Sequence, residues 1–242
     1  MTSPFTVLIL TEDKAGWDVV RTIVRKSFQE MDPAAIVWPE DRWARPAAKV
    51  ARAARGSYWK SKSEHDQAER RELIREITTH LLRPAGFVAF HFDGDEPWSQ
   101  RHQSENVAEW AHFCVLVAQN IQQRETDATI GERALSRLFA VTPFYCIESW
   151  LYVATDALLA ACTAEHGAVH HEDIRKRSQA LHGIEEQVQP WKLWCVGKSA
   201  NERLAAQLPV AVAYGLGQSL HETLERMMAC DELVRALKAA RP

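Results

Sequence analysis

Cysteine pairs with metal-ligand spacing are missing from this chain of 242 residues: its five cysteines, at 114, 146, 162, 195 and 230, are scattered, odd in number and never form Cys-x-x-Cys. That argues against a zinc module and predicts reduced, mostly buried thiols in a cytoplasmic protein. No apolar run approaches the roughly 18 residues of a membrane span, so no membrane contact is expected. The first residues carry neither the basic start nor the apolar core of a signal peptide. Charge of one sign is not in excess either. The net charge of −3 excludes a globally basic nucleic-acid binder, though not a local basic surface. No Gly-x-Ser-x-Gly elbow occurs, which leaves a serine hydrolase without support. Gly197-Lys198-Ser199 is not a phosphate loop, because Lys192 stands where that motif needs glycine.

What the chain does have is a repeated pattern of apolar run followed by acid. Phe5-Thr6-Val7-Leu8-Ile9-Leu10 leads, through Thr11, to Glu12-Asp13. Gly86-Phe87-Val88-Ala89-Phe90 leads to Asp93-Gly94-Asp95, and Leu138-Phe139-Ala140-Val141 is followed by Glu148. Short apolar runs of this kind read as buried strands. Ligand sites of open α/β sheets lie at the carboxyl ends of such strands. Two carboxylates two residues apart repel each other, and both stay ionised most easily with a cation between them. A divalent metal site is the first expectation.

Between these runs lie helical patterns over about 15–30, 64–83, 106–123 and 146–165, with a further strand at about 35–38 (Ala35-Ile36-Val37-Trp38). Strand and helix alternate with long crossovers, so the fold class is α/β with a doubly wound, mostly parallel sheet. Beyond about residue 170 strand signals nearly vanish. Residues 171–182, 200–208 and 216–240 look helical, and 183–197 looks like a loop. The expected organisation is an α/β domain over residues 1–165 and a helical C-terminal part, 166–242, packed on the same core.

From Arg42 to Lys62 the chain carries cations and no acid. Arg45, Lys49 and Arg52 fall at i, i+4 and i+7, one stripe if the segment is helical. Arg42, Arg45, Lys49, Arg52, Lys60 and Lys62 are therefore the candidate nucleic-acid contacts, with Trp38, Trp43, Tyr58 and Trp59 as possible stacking partners for bases.

Glu12 after the first strand, Asp93-x-Asp95 after a later one and Cys146-Ile147-Glu148-Ser149-Trp150-Leu151 after a third resemble the Toprim family. The likeness is to nuclease domains of the overcoming-lysogenization-defect type, in the compact form found in bacterial defence systems. It covers residues 5–160, and Lys198 before Asn201-Glu202-Arg203-Leu204 extends it loosely. Asp13 follows Glu12 where the family has glycine. The resemblance implies a Mg²⁺- or Mn²⁺-dependent nuclease, acting on DNA or RNA as a defence effector, with an ABC-type ATPase as a possible partner. Asp93 and Asp95 would be core metal ligands, Glu12 a ligand or general base, and Glu148 a ligand of a second ion. Lys198 would stabilise charge on the phosphorus. Two alternatives remain. One is a haloacid-dehalogenase-type phosphatase with Asp93 as nucleophile and Asp95 as acid. The other is a non-catalytic subunit that binds nucleic acid or a partner.

Overall fold

The computed structural model describes residues 5–12, 16–31, 42–55, 58–61, 63–167, 181–186 and 198–239, together with Glu172 and Arg175. Strands β1 (Thr6–Thr11), β2 (Trp43–Ala44), β3 (Gly86–His91) and β4 (Leu138–Val141) form one sheet. All pairings are parallel, in the order β2-β1-β3-β4. Alternate residues feed opposite faces, as a pleated strand requires. Val7, Ile9, Phe87, Ala89, Phe139 and Val141 enter one apolar core; Leu8, Leu10, Val88, Phe90 and Ala140 enter the other. The sheet is thus buried on both faces.

On the first face lies α1 (Gly16–Met31), which buries Val19, Val20, Ile23, Val24 and Phe28. The second face is covered by α2 (Ala48–Ala54), α3 (Glu64–Leu81), α4 (Glu105–Arg124) and α5 (Ala128–Leu135). Ser63 caps α3 by accepting from the Asp66 amide at 3.2 Å, and Asp127 caps α5 by accepting from the Thr129 amide at 2.8 Å. Helix α3 meets β1 and β3 through close backbone contact. A side chain at Gly86 would place its Cβ 1.9 Å from the His80 carbonyl oxygen, so glycine is required there. Burial lowers the pKa of His80 to about 4 and keeps its ring neutral, with Nε2 3.3 Å from the Thr6 carbonyl oxygen.

After β4 the chain forms α6 (Glu148–Leu151) and α7 (Thr155–His166), then α8 (Asn201–Gln207), α9 (Val210–Gly215), α10 (Ser219–Met228) and α11 (Asp231–Ala239). Leu204, Leu208, Val210, Leu220, Leu224, Met227, Leu233 and Leu237 belong to the same buried cluster as Val7 and Ile9. Buried Arg137 ties the layers together: it donates to the carbonyl oxygens of Leu81, Arg83 and Arg133 and lies 3.2 Å from Glu232.

The α/β class and the parallel sheet agree with the sequence reading; several boundaries differ. The strand expected at 35–38 lies outside the described residues, and the edge strand found is Trp43–Ala44. One helix expected over 146–165 is two, because the chain turns at Tyr152–Ala154. Arg45 precedes α2 rather than lying on it, so the three-residue helical stripe does not form. Cys114, Cys146 and Cys230 are free thiols, but Cys162 is disulfide-bonded, which corrects the expectation of uniformly reduced cysteines. Among the described residues no helix is long and apolar enough to cross a membrane.

Candidate active site at the sheet switch point

Strand order reverses between β1 and β3, and a crevice at such a point is where open α/β sheets bind ligands. Glu12 and Asp93 stand there. The strand pairing continues past its formal end: the Glu12 amide donates to the His91 carbonyl oxygen at 3.0 Å, and the Asp93 amide to Glu12 Oε2 at 3.2 Å. On the other side, the Gly94 amide donates to the Pro143 carbonyl oxygen at 2.9 Å, and the Asp95 amide to that of Tyr145 at 3.1 Å. These bonds draw the segment leading to Glu148 alongside the 93–95 loop.

The loop is held in a demanding shape. Asp95 has φ 57°, a left-handed conformation costly for a residue with a side chain. A Cβ at Gly94 would approach Phe144 Cδ1 to 2.8 Å. The start of α4 fixes the loop from below. Ser104, the cap of α4, donates to the Gly94 carbonyl oxygen at 2.6 Å. Asn106 Nδ2 donates to both the Asp93 carbonyl oxygen at 2.8 Å and Asp95 Oδ2 at 2.7 Å.

Asp93 is the electrostatic hub. Burial raises its pKa; His91 opposes that, while Glu148 and Asp95 raise it further. His91 is almost wholly buried, with Nε2 3.3 Å from Asp93 Oδ1. That contact is not aligned as a hydrogen bond, and both ring nitrogens and Oδ1 lack hydrogen-bond partners among the described residues. Burial also raises the pKa of Glu12; Lys60 counters it and Asp93 adds to it. Glu148 is buried at the start of α6 and accepts from Asn201 Nδ2 of α8 at 2.9 Å. Behind it, Trp150 donates through Nε1 to Glu185 at 2.9 Å, and Glu185 accepts from the Ser219 amide at 2.9 Å at the start of α10. The α6 segment carrying Glu148 is therefore anchored to the C-terminal helices.

A cation already stands in this acidic crevice. Lys60 Nζ lies 3.7 Å from Glu12 Oε1 and donates to Asn106 Oδ1 at 2.5 Å. Its neighbour Trp59 is buried among Phe90, Phe92, Trp110 and Phe113, which pins the turn that delivers the ammonium. The four expected acids thus share one region, with Asp93 in electrostatic contact with the other three. Yet among the described residues no group of three or more His, Cys, Asp and Glu could hold a metal ion. The donors are hard carboxylate oxygens suited to Mg²⁺ or Mn²⁺, and the only close side-chain neighbour of Asp93 Oδ1 found among the described residues is His91 Nε2 at 3.3 Å. Lys60 occupies the position of the counter-charge.

The remaining candidates are dispersed. Arg42 lies over the Phe5 ring at 4.9 Å, and Arg45 lies 3.9 Å over Trp17 and 3.1 Å from Asp18. Arg52 pairs with Glu69. Lys49, Arg52, Arg55 and Tyr58 line an open cavity of about 770 Å³. Trp43 and Trp59 are core residues and cannot stack on a ligand. Asp13, Trp38 and Lys62 lie outside the described residues, as does the side chain of Lys198, whose backbone begins the short turn Lys198–Ala200. Asn106 and Asn201 escaped the sequence reading, since an asparagine that bonds to residues far along the chain leaves no local pattern. Lys60 was singled out for a phosphate contact, and the fold brings it to Glu12 instead. Comparison with family models, characterised proteins and solved structures returned no match.

Proposed function

We propose that this chain is a metal-dependent nuclease that hydrolyses phosphodiester bonds at the crevice formed by Glu12, Asp93, Asp95 and Glu148. The observation that supports it most is the meeting of Asp93, whose buried Oδ1 faces only His91 Nε2 at 3.3 Å among the described residues, with three further carboxylates at the sheet switch point. Asp93 and Asp95 would hold the ion, and Glu148 a second one. A bound Mg²⁺ or Mn²⁺ supplies charge neutralisation on the phosphate.

The chain's own groups take the other tasks. Glu12, its pKa raised by burial, would act as a ligand or as the base that accepts a proton from the attacking water. Lys60, whose ammonium lies 3.7 Å from Glu12 Oε1, would offer positive charge to the phosphate in the transition state. Lys198 keeps its place as a second candidate for that role. His91 orients Asp93 from behind. Asn106 holds the Asp93–Asp95 loop through the Asp93 carbonyl oxygen and Asp95 Oδ2. The open cavity bearing Lys49, Arg52 and Arg55 provides a path for the nucleic-acid backbone, whether DNA or RNA. A cytoplasmic defence effector gated by an ABC-type ATPase follows from the resemblance to Toprim nucleases alone.

Plasmid DNA and single-stranded RNA incubated with the protein and Mn²⁺ test the reading. Cleavage lost on chelation and in both Asp93→Ala and Glu148→Ala supports it; cleavage that survives in either variant overturns it. The non-catalytic reading draws on Lys60, which already balances the acids. It predicts nucleic-acid binding that is indifferent to metal and equal in all three proteins. Turnover of p-nitrophenyl phosphate without nuclease activity would favour the phosphatase.

A further inference from the structure

The bases of a nucleic acid need a place beside the crevice, and the tryptophans at 43 and 59 cannot provide it. At the β4 edge of the sheet a cavity of about 190 Å³ opens between the start of α4 and α10. Its walls include Phe92, Val107, Trp110, Ala140, Thr142 and Phe144. It adjoins the acidic loop on two sides: Phe92 directly precedes Asp93, and Phe144 is the ring packed against Gly94. An apolar cavity of about 150 Å³ holds one benzene ring, so this space fits a single six-membered ring with substituents.

Two polar features separate it from a packing defect. The hydroxyl of Thr142 is buried and has no hydrogen-bond partner among the described residues, an expensive omission for a group of this kind. The rim carries Arg101 and Arg226, which share one carboxylate: Glu222 lies 3.7 Å from Arg101 and 2.9 Å from Arg226. Two guanidinium groups thus share a single carboxylate at the rim of an aromatic-walled slot, and exposed His102 adds a further donor.

We propose that this cavity is a nucleobase subsite, taking a single-ring base with its phosphate towards Arg101 and Arg226 and a polar edge towards Thr142. The identity of the ring as a nucleobase rests on the nuclease reading; the recognition chemistry, a planar ring joined to an anion, does not.

Calorimetric titration of the full chain in EDTA separates the two. Uridine 5′-monophosphate is the probe, and ribose 5-phosphate is the same anion without the ring. Base stacking contributes enough that ribose 5-phosphate should bind about tenfold more weakly or worse. Val107 is exposed, so Val107→Trp closes the mouth without burdening the core and should weaken the nucleotide at least about tenfold. Thr142→Val should weaken it several-fold, and Val115→Trp, further along the same helix and equally tolerant of bulk, should change nothing. Equal affinity for the two phosphates, no measurable nucleotide binding, or undiminished binding by Val107→Trp overturns the subsite. Nucleotide binding without any phosphodiester cleavage supports the subsite while sinking the nuclease reading. Cleavage with an unchanged KM in Val107→Trp sinks the subsite and leaves the nuclease standing.

Discussion

Burial raises the pKa of Asp93 and of Glu12 in the folded chain, so the fold holds these protons more tightly than the unfolded chain does. By linkage, stability from this source is present below the ordinary carboxylate pKa and is lost as pH rises through the raised value. The acids therefore cost stability at neutral pH. Asp93→Asn removes the charge and keeps the shape, so it should raise Tm at pH 7 by about 2–4 °C, the shift that roughly 1 kcal/mol gives a protein of this size. That advantage should shrink as pH falls towards 4. Circular-dichroism melts of both proteins across that range check it, and a lower Tm for the variant at pH 7 would refute it. Lys60→Met withdraws the ammonium that lies 3.7 Å from Glu12 Oε1. It should lower Tm in EDTA, and millimolar Mn²⁺ should restore most of the loss, because a ligand that binds only the folded state adds to its stability. A variant destabilised equally with and without Mn²⁺ would show that no ion replaces the ammonium. The acids themselves were legible because each follows an apolar strand, a local signal. The partners that fix them, Lys60, Asn106 and Asn201, lie 11 to 53 residues away from the acids they bond, and spacing along the chain says nothing of such meetings.

The elements that sequence periodicity located best are those whose burial is settled by their own residues. Helix α1 buries Val19, Val20, Ile23, Val24 and Phe28; β1 is apolar from Val7 to Leu10 and β3 from Phe87 to Phe90. Helix α5 was missed, although Asp127 gives it a cap, since it is short and buries only Ala134. The break between α6 and α7 was missed because Tyr152, Val153 and Ala154 are apolar core residues, which read as more helix. Two predictions belong to connections between elements. Gly94→Ala forces Phe144 or the 93–95 loop to move, and overpacking of this kind costs about 1–3 kcal/mol. Urea denaturation should show that loss, together with weaker Mn²⁺ uptake; unchanged stability and uptake would mean the loop yields freely. Arg137→Met removes the hub joining α3, α5 and α11 and leaves three carbonyl oxygens and Glu232 without it. The bond to the Leu81 carbonyl oxygen is the buried one, and losing it costs about 1–3 kcal/mol, so the midpoint of unfolding should fall more than for an exposed arginine such as Arg52→Met.

The C-terminal helices complete the first face of the sheet. Leu204 to Leu237 share a core with residues near the start of the chain, so a fragment ending at His166 would expose that face to water. Such a fragment should aggregate or show a molten far-UV and near-UV signature; a cooperatively melting monomer would contradict the shared core. Composition and the absence of strand signals after residue 170 made the helical character of this region legible. Its seating on the sheet was an expectation of economy, since helices α8 to α11 are short and find their faces only against other elements, α1, α6, α7 and β4 among them, and against one another.

Strand β1 sits inside the sheet, between β2 and β3, and it is the first to be synthesised. One of its edges has no partner until residue 91 has been made, and one of its faces stays open until residues near 237 leave the ribosome. Parallel pairing of such distant segments is slow to form and leaves apolar surface available to other chains meanwhile. The strand that leads to Glu12 is thus the one in this sheet that waits longest for both its neighbours and its covering helices, and its apolar edge is where a half-made sheet is most open to other chains.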